Sequence, residues 1–457
     1  MEAAEPIRTG AVPAQPPRFV TGSLLTHILI MTGTGAVGLI SIFIGDLANM
    51  LFLSWLADEA VVAAVGYASS ILFFTTSIGI GLSIAATALV STAVGAGEKD
   101  RARRLASSAL MLTLAASIVL TAIVWVAVPW LLSLLGAEGR THGLARDYLW
   151  ILVPFLPPLA IAMTSTGLLR SVGDPRRAMH ITLIGAVVNI LLDPLFIFTL
   201  GLGISGAAIA SGLARLAMVV YGLYAVVRVH DLAAAPSMAA VEQDWPPLLA
   251  VAVPAVLTNI ATPVANAYVT AAIATHGDSA VAAWAIIGRL IPVAFGAIYA
   301  LSGSIGPIIG QNYGAGEHER MRRTFTLSLW VTAVFTLLAW VLLTLGTGLI
   351  VDFFKVTGSA ADLIRLFNVV LSPLFVFLGA LFVANAAFNT LGHARLSTWL
   401  NWGRATIGTI PFVEFGSRQA GAEGVLAGNM IGGIGFGVLA VWLCYRLMQR
   451  LRPDATE

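Results

Sequence analysis

The sequence predicts an all-α polytopic membrane protein with twelve transmembrane helices in two pseudo-symmetric six-helix lobes. Three observations carry this expectation. Hydrophobic residues make up 58% of the chain and charged residues 11%, whereas a soluble domain is about half apolar and a quarter charged. The mean hydropathy is +0.90. A membrane helix with its connection takes roughly 35–40 residues, so 457 residues hold about twelve. The chain also repeats itself at a shift of 219 positions. Together these exclude a soluble enzyme, a disordered chain and a nucleic-acid binder. Apolar/polar alternation in short segments is missing, so an outer-membrane barrel does not fit.

Residues 1–23 read as a cytosolic tail, Pro-rich through Pro17 and without the apolar core and small-residue cleavage site of a signal peptide. The first lobe spans 24–228, with apolar runs near 24–56, 60–94, 105–135, 147–170, 178–200 and 203–228. A more polar stretch, 229–246, reads as a cytosolic linker. The second lobe spans 247–448, with runs near 247–275, 280–313, 324–351, 361–390, 394–416 and 422–448, and 449–457 close the chain as a second tail. Basic residues gather on alternate connections: Lys99, Arg101, Arg103 and Arg104; Arg176 and Arg177; Arg320, Arg322 and Arg323; Arg395; then Arg446, Arg450 and Arg452. By the positive-inside rule both termini lie in the cytosol, and the expected location is the bacterial inner membrane. One cysteine, Cys444, excludes an intramolecular disulfide and reads as packing.

The repeat overlays 58–104 on 277–323 without a gap. Gly95-Ala96-Gly97-Glu98 meets Gly314-Ala315-Gly316-Glu317, and Arg101, Arg103 and Arg104 meet Arg320, Arg322 and Arg323. The same shift places Gly173 on Gly392. Six spans per repeat give the halves one orientation, as in transporters built from parallel repeats about an axis along the membrane normal. Such a pair of bundles leaves a cleft between movable lobes, which a passive channel does not need.

Acids inside a membrane are costly, and each is a functional candidate. Asp46, Asp193 and Glu414 fall within runs. The shift carries Asp46 to Ala265, and the fifth-run alignment carries Asp193 to Ile410, so the lobes are chemically unequal. Asn189 and Asp193 are four apart and share a helix face. Pro194 follows and frees the carbonyl of Ile190 from its helical partner. Carboxylate, amide and carbonyl oxygens suit Na⁺, and a desolvated carboxylate equally suits H⁺. Glu414, past Pro411 near the end of its run, is a secondary candidate. Arg215, Arg289 and Arg404 are intramembrane cations. No GxxxxGKS/T or HExxH motif occurs, and Asn189-x-x-x-Asp193 lacks the further aspartates of a prenyltransferase, so no enzyme is expected.

The segment from Gly167 to Arg177 (GLLRSVGDPRR), that from Asn189 to Phe198 (NILLDPLFIF) and that from Gly201 to Ala210 (GLGISGAAIA) resemble the fourth connection, fifth span and sixth-span entry of MATE (multidrug and toxic compound extrusion) transporters. The resemblance covers nearly the whole chain. It implies secondary active efflux of amphipathic organic cations in exchange for H⁺ or Na⁺, with no cofactor, and an ion site in the N-lobe. That site would draw on Asn189 and Asp193, on Ser211 where relatives carry a threonine hydroxyl, and on a first-span acid. The alignment departs from the family here: Asn49 stands at the usual acid position, and Asp46 three residues earlier. Expected partners are a small cationic amphipathic substrate and membrane lipid, with no nucleic acid. The alternative reading is a lipid-linked precursor flippase of related architecture, disfavoured by few and scattered intramembrane arginines.

Overall fold

Each long apolar run closes its backbone hydrogen bonds within a helix, because the bilayer core offers no other partners. The computed structural model describes residues 17–56, 58–235 and 237–451. The first lobe comprises α1 (Leu24–Ser54), α2 (Glu59–Gly95), α3 (Lys99–Leu134), α4 (Gly139–Ser171), α5 (Pro175–Thr199) and α6 (Gly203–Val229). The second begins with α7 (Met238–Ala274). In α8, Asp278–Ala294 is followed after a 48° bend by Gly296–Gly314; α9 (His318–Phe353) and α10 (Gly358–Thr390) come next. The last stretch, Ala394–Arg450, reverses at Ala420 and Gly421, whose backbone angles are non-helical. It therefore supplies α11 (394–419) and α12 (422–450), giving twelve spanning helices among the described residues.

The helices outrun the apolar stretches where polar first turns project into water. α3 starts at Lys99, and α7 starts at Met238 inside the interval expected as a linker. Residues 1–16 and 452–457, including Arg452, lie outside the described residues. The rest of the expected N-terminal tail, 17–23, is held in place: Phe19 is 1% exposed.

The repeat is visible in the backbone itself. α2, α3 and α4 begin and end 219 residues before α8, α9 and α10. Short 3-10 turns interrupt α4 at Val153–Phe155 and α10 at Ser372–Leu374, again 219 apart. Left-handed residues recur at the same interval: Gly97 and Gly316, Gly136 and Lys355, Gly139 and Gly358, Gly173 and Gly392. Each lobe buries a core of its own, around Leu149, Leu152 and Ile204 in the first and Phe295, Phe367 and Phe375 in the second, and two further cores are shared: Leu168 and Ile181 pack with Leu248 and Val251, and Ile305 and Phe325 with Ile28 and Met31.

The lobes meet at the end that carries Pro17, Leu451 and the basic connections, the basic end. A Cβ on Gly95 would lie 2.1 Å from the Gln311 carbonyl oxygen, and one on Gly314 would lie 2.0 Å from that of Thr92. Thr92 and Gln311 are repeat partners, as are Gly95 and Gly314, so this contact is self-complementary about the pseudo-two-fold axis. Gly296–Gly314, the near half of α8, packs on α1 and α2, whereas Asp278–Ala294 packs within its own lobe. The lobes thus diverge from the basic end toward the far end.

Candidate functional site

Asp193 is the last residue but one of the α-helical part of α5, which ends at Pro194 and continues as a π turn, Leu195–Thr199. Proline has no N–H to donate, and π turns in transmembrane helices recur at functional positions. The Asp193 side chain is fully buried. Asn189, one turn earlier, donates its Nδ2 to Asp193 Oδ2 at 2.8 Å. Asn49 of α1 donates to the same oxygen at 2.9 Å. α1 comes this close because Gly45 faces Ala186 of α5. Asp193 Oδ1, buried as well, has no hydrogen-bond partner among the described residues. One carboxylate oxygen is clasped by two amides, and the other stands free to bind a proton or a cation.

Asn49 occupies the first-helix position beside Asp193. Asp46, nearly a turn closer to the basic end, is exposed, and its charge faces Arg215 of α6. Ser211, four residues before Arg215 on α6, lies near the Tyr148 hydroxyl of α4. Tyr148 is buried and lies within the electrostatic reach of Arg215, Asp193 and Asp46. Five sequence candidates, Asp46, Asn49, Asn189, Asp193 and Ser211, therefore fall in one polar cluster of the N-lobe. Tyr148 and Arg215 complete it. Arg215 stood in the sequence as an intramembrane cation without a partner; its spacing of four from Ser211 was the available signal. Tyr148 carried no such signal.

Glu414 is not part of this cluster. It sits on α11 in the other lobe, more than half exposed, accepting a hydrogen bond from Tyr268 at 2.9 Å with Arg418 at 4.0 Å. The C-lobe counterpart of Asp46, Ala265, lies in a small apolar cluster with Ala261 and Ala405. The second lobe does bury one carboxylate, Asp244 near the start of α7, but Ser108 at 2.8 Å and Arg104 at 3.1 Å engage it.

The MatE family model matches residues 36–195 and again 254–413, two stretches 218 positions apart, one per lobe. The chain belongs to the MATE family. It is a polytopic membrane transporter of the multidrug and toxic compound efflux family, and not an enzyme. It is 30% identical over 436 residues to the FAD transporter of Shewanella oneidensis, covering 94% of this chain and 96% of that protein. It is 23% identical over 423 residues to the multidrug export protein MepA of Staphylococcus haemolyticus, covering 91% and 92%. Among solved structures, the MATE transporter VcmN of Vibrio cholerae aligns with a TM-score of 0.89 at 25% identity, over 93% of this chain and 97% of the other. A multidrug-resistance MATE transporter in an outward-facing conformation shares the fold at a TM-score of 0.89 and 21% identity, covering 96% and 99%.

Proposed function

We propose that this MATE protein is a proton-coupled antiporter of the bacterial inner membrane that exports amphipathic organic cations by alternating access. The reading rests on one observation: a buried aspartate with one oxygen held by two amides and the other unengaged. Both amides turn N–H groups, not carbonyl oxygens, toward the carboxylate. The two amides thus offer Na⁺ no oxygen at Asp193 Oδ2, which favours a proton as the coupling ion. The basic end is cytosolic by the positive-inside rule, so the cleft opens outward in this conformation. A proton entering from outside neutralises Asp193. The amide bonds from Asn49 and Asn189 lose their charged acceptor, and charge-assisted bonds are roughly twice as strong as neutral ones. α1 is thereby loosened from α5, and the cationic substrate loses the attraction of the acid cluster. Export follows, and the proton leaves on the cytosolic side.

The test is efflux of ethidium from proteoliposomes under a pH gradient or a Na⁺ gradient, each imposed alone. The pH gradient drives transport and the Na⁺ gradient does not; Asp193→Asn loses the driven component. Wild-type transport by that variant would remove Asp193 from the coupling step.

A second reading, export of an organic anion, is favoured by the similarity to a relative named a FAD transporter. Riboflavin, FMN and FAD in the same vesicles separate the two.

A further inference from the structure

Arg404 lies on α11 ten residues past its start at Ala394, about 15 Å along the helix axis and near mid-membrane. It is 7% exposed. Its Nη2 donates to Thr262 Oγ1 of α7 at 3.2 Å, and its Nε has no partner among the described residues. The bonds and ion pairs found for it include no carboxylate. A guanidinium stays protonated under all ordinary conditions. A buried charge without a counter-ion is costly, and in a membrane it marks a substrate or ion path. Nor does the repeat demand it: the corresponding N-lobe positions are Gly185, Ala186 and Val187.

The surroundings make a site of it. Arg404 opens a π-helical turn, Arg404–Gly408, and Thr409 Oγ1 donates to the Arg404 carbonyl at 2.9 Å, fixing the turn. Tyr299, on α8 just beyond the 48° bend, lies within electrostatic reach of the guanidinium. Its ring is 36% exposed and packs against Phe382 at 5.3 Å and Phe375 at 6.1 Å. An aromatic wall with an exposed face thus stands beside a buried cation that retains an unused donor.

We propose that Arg404 receives the anionic group of an aromatic organic phosphate, whose ring lies against Tyr299. This deepens the second reading, export of an organic anion, and rests on it. The two lobes then carry opposite buried charge, a carboxylate cluster in the N-lobe and a guanidinium in the C-lobe. Arginine offers its N–H groups in a planar fork that matches phosphate.

The experiment measures equilibrium binding to the full-length protein in nanodiscs, with no gradient imposed. Riboflavin and FMN share the ring system and differ by the phosphate. The wild type is expected to bind FMN about tenfold more tightly than riboflavin, as a hydrogen-bonded charge contributes. Arg404→Gln should reduce the ratio to near one while riboflavin binding persists. Arg404→Met serves where the glutamine variant folds poorly, since an apolar side chain of similar volume suits a buried position. Tyr299→Leu should weaken both ligands in parallel. Lysophosphatidate titrated against bound FMN separates sources: displacement assigns the same guanidinium to lipid phosphate esters as well, and no displacement assigns it to the soluble ester alone. Equal binding of FMN and riboflavin by the wild type, or an unchanged ratio in the Arg404 variants, overturns the proposal. Because no gradient is present, that failure leaves proton coupling through Asp193 standing. Loss of coupling in the vesicle assay likewise leaves the binding ratio intact.

Discussion

At the scale of single residues, two carboxylates illustrate how surroundings set a role. Asp193 has two amides on one oxygen and, among the described residues, no partner on the other, which leaves that oxygen free to bind. Asp174, at the basic-end start of α5, is fully engaged. Its Oδ1 accepts from the backbone N–H of Arg177 at 3.1 Å, and its Oδ2 takes the Arg177 guanidinium and His230 Nε2 at 2.9 Å. Burial pushes the Asp174 carboxyl up, but the hydrogen bonds from Arg177 and His230 outweigh it and hold the carboxyl below its ordinary value. A carboxyl depressed in the folded state contributes stability above its unfolded pKa of about 3.9, and that contribution is lost as pH falls through the folded value. The difference in thermal stability between wild type and Asp174→Asn should therefore be steady down to about pH 5 and vanish in more acid solution. A difference that instead grows as the solution is acidified would contradict this. The sequence showed Asp193 and Asn189 as a pair because four-residue spacing is a local property of a helix. It could not decide between Asp46 and Asn49. That choice depends on how α1 is rotated against α5, and Gly45 sets the rotation through a contact 141 positions away in the chain, at Ala186.

At the scale of elements, the twelve runs were legible because apolar length is a direct requirement of the bilayer. The prolines were legible as breaks only in part. Pro154 and Pro373 lie in 3-10 turns, Pro194 leads into a π turn, and Pro292 precedes the bend of α8, whereas Pro307 sits inside an unbroken helix. The hairpin of α11 and α12 was harder to read, since its seam is made of glycines and not of large apolar side chains. A Cβ on Gly424 would stand 1.9 Å from the Gly416 carbonyl oxygen, one on Gly428 would stand 2.3 Å from that of Phe412, and one on Gly432 would stand 1.5 Å from that of Gly408. Small residues let backbones of neighbouring membrane helices touch, where dispersion and not water exclusion drives packing. Gly424→Ala must push the helices apart, at about 1–3 kcal/mol for an overpacked contact. Gly435→Ala on the same helix meets nothing within 4 Å and should be neutral. Thermal unfolding in detergent distinguishes them, and equal melting temperatures would show that the seam yields without cost.

For the molecule as a whole, the pseudo-two-fold contact and the N-terminal segment act on the same closure. Phe19 donates its N–H to Gln311 Oε1 at 2.9 Å, and Gln311 Nε2 donates to the Ser171 carbonyl at 2.6 Å. Asn312 and Arg320 hold the Phe19 carbonyl at 3.2 and 3.1 Å, and Arg18 reaches the Gly173 carbonyl. Gln311 therefore links α8 to the N-terminal segment and to the end of α4, and the bond to Ser171 joins the two lobes. A side chain that is bonded only in the closed state weights that state by its full bond energy. Removing the two bonds with Gln311→Leu should cost the closed state about 1–3 kcal/mol, or roughly five- to 150-fold in the population ratio. The readout is thiol labelling from the basic side of a cysteine placed at Ser91, which is fully buried beside Gly310 at the pseudo-axis. The native Cys444 is buried, and its replacement by alanine removes any background. Gln311→Leu should speed labelling at least several-fold. If the rate does not move, the amide is packing alone and the lobes are held together by their glycine contacts, Gly95 on Gln311 and Gly314 on Thr92.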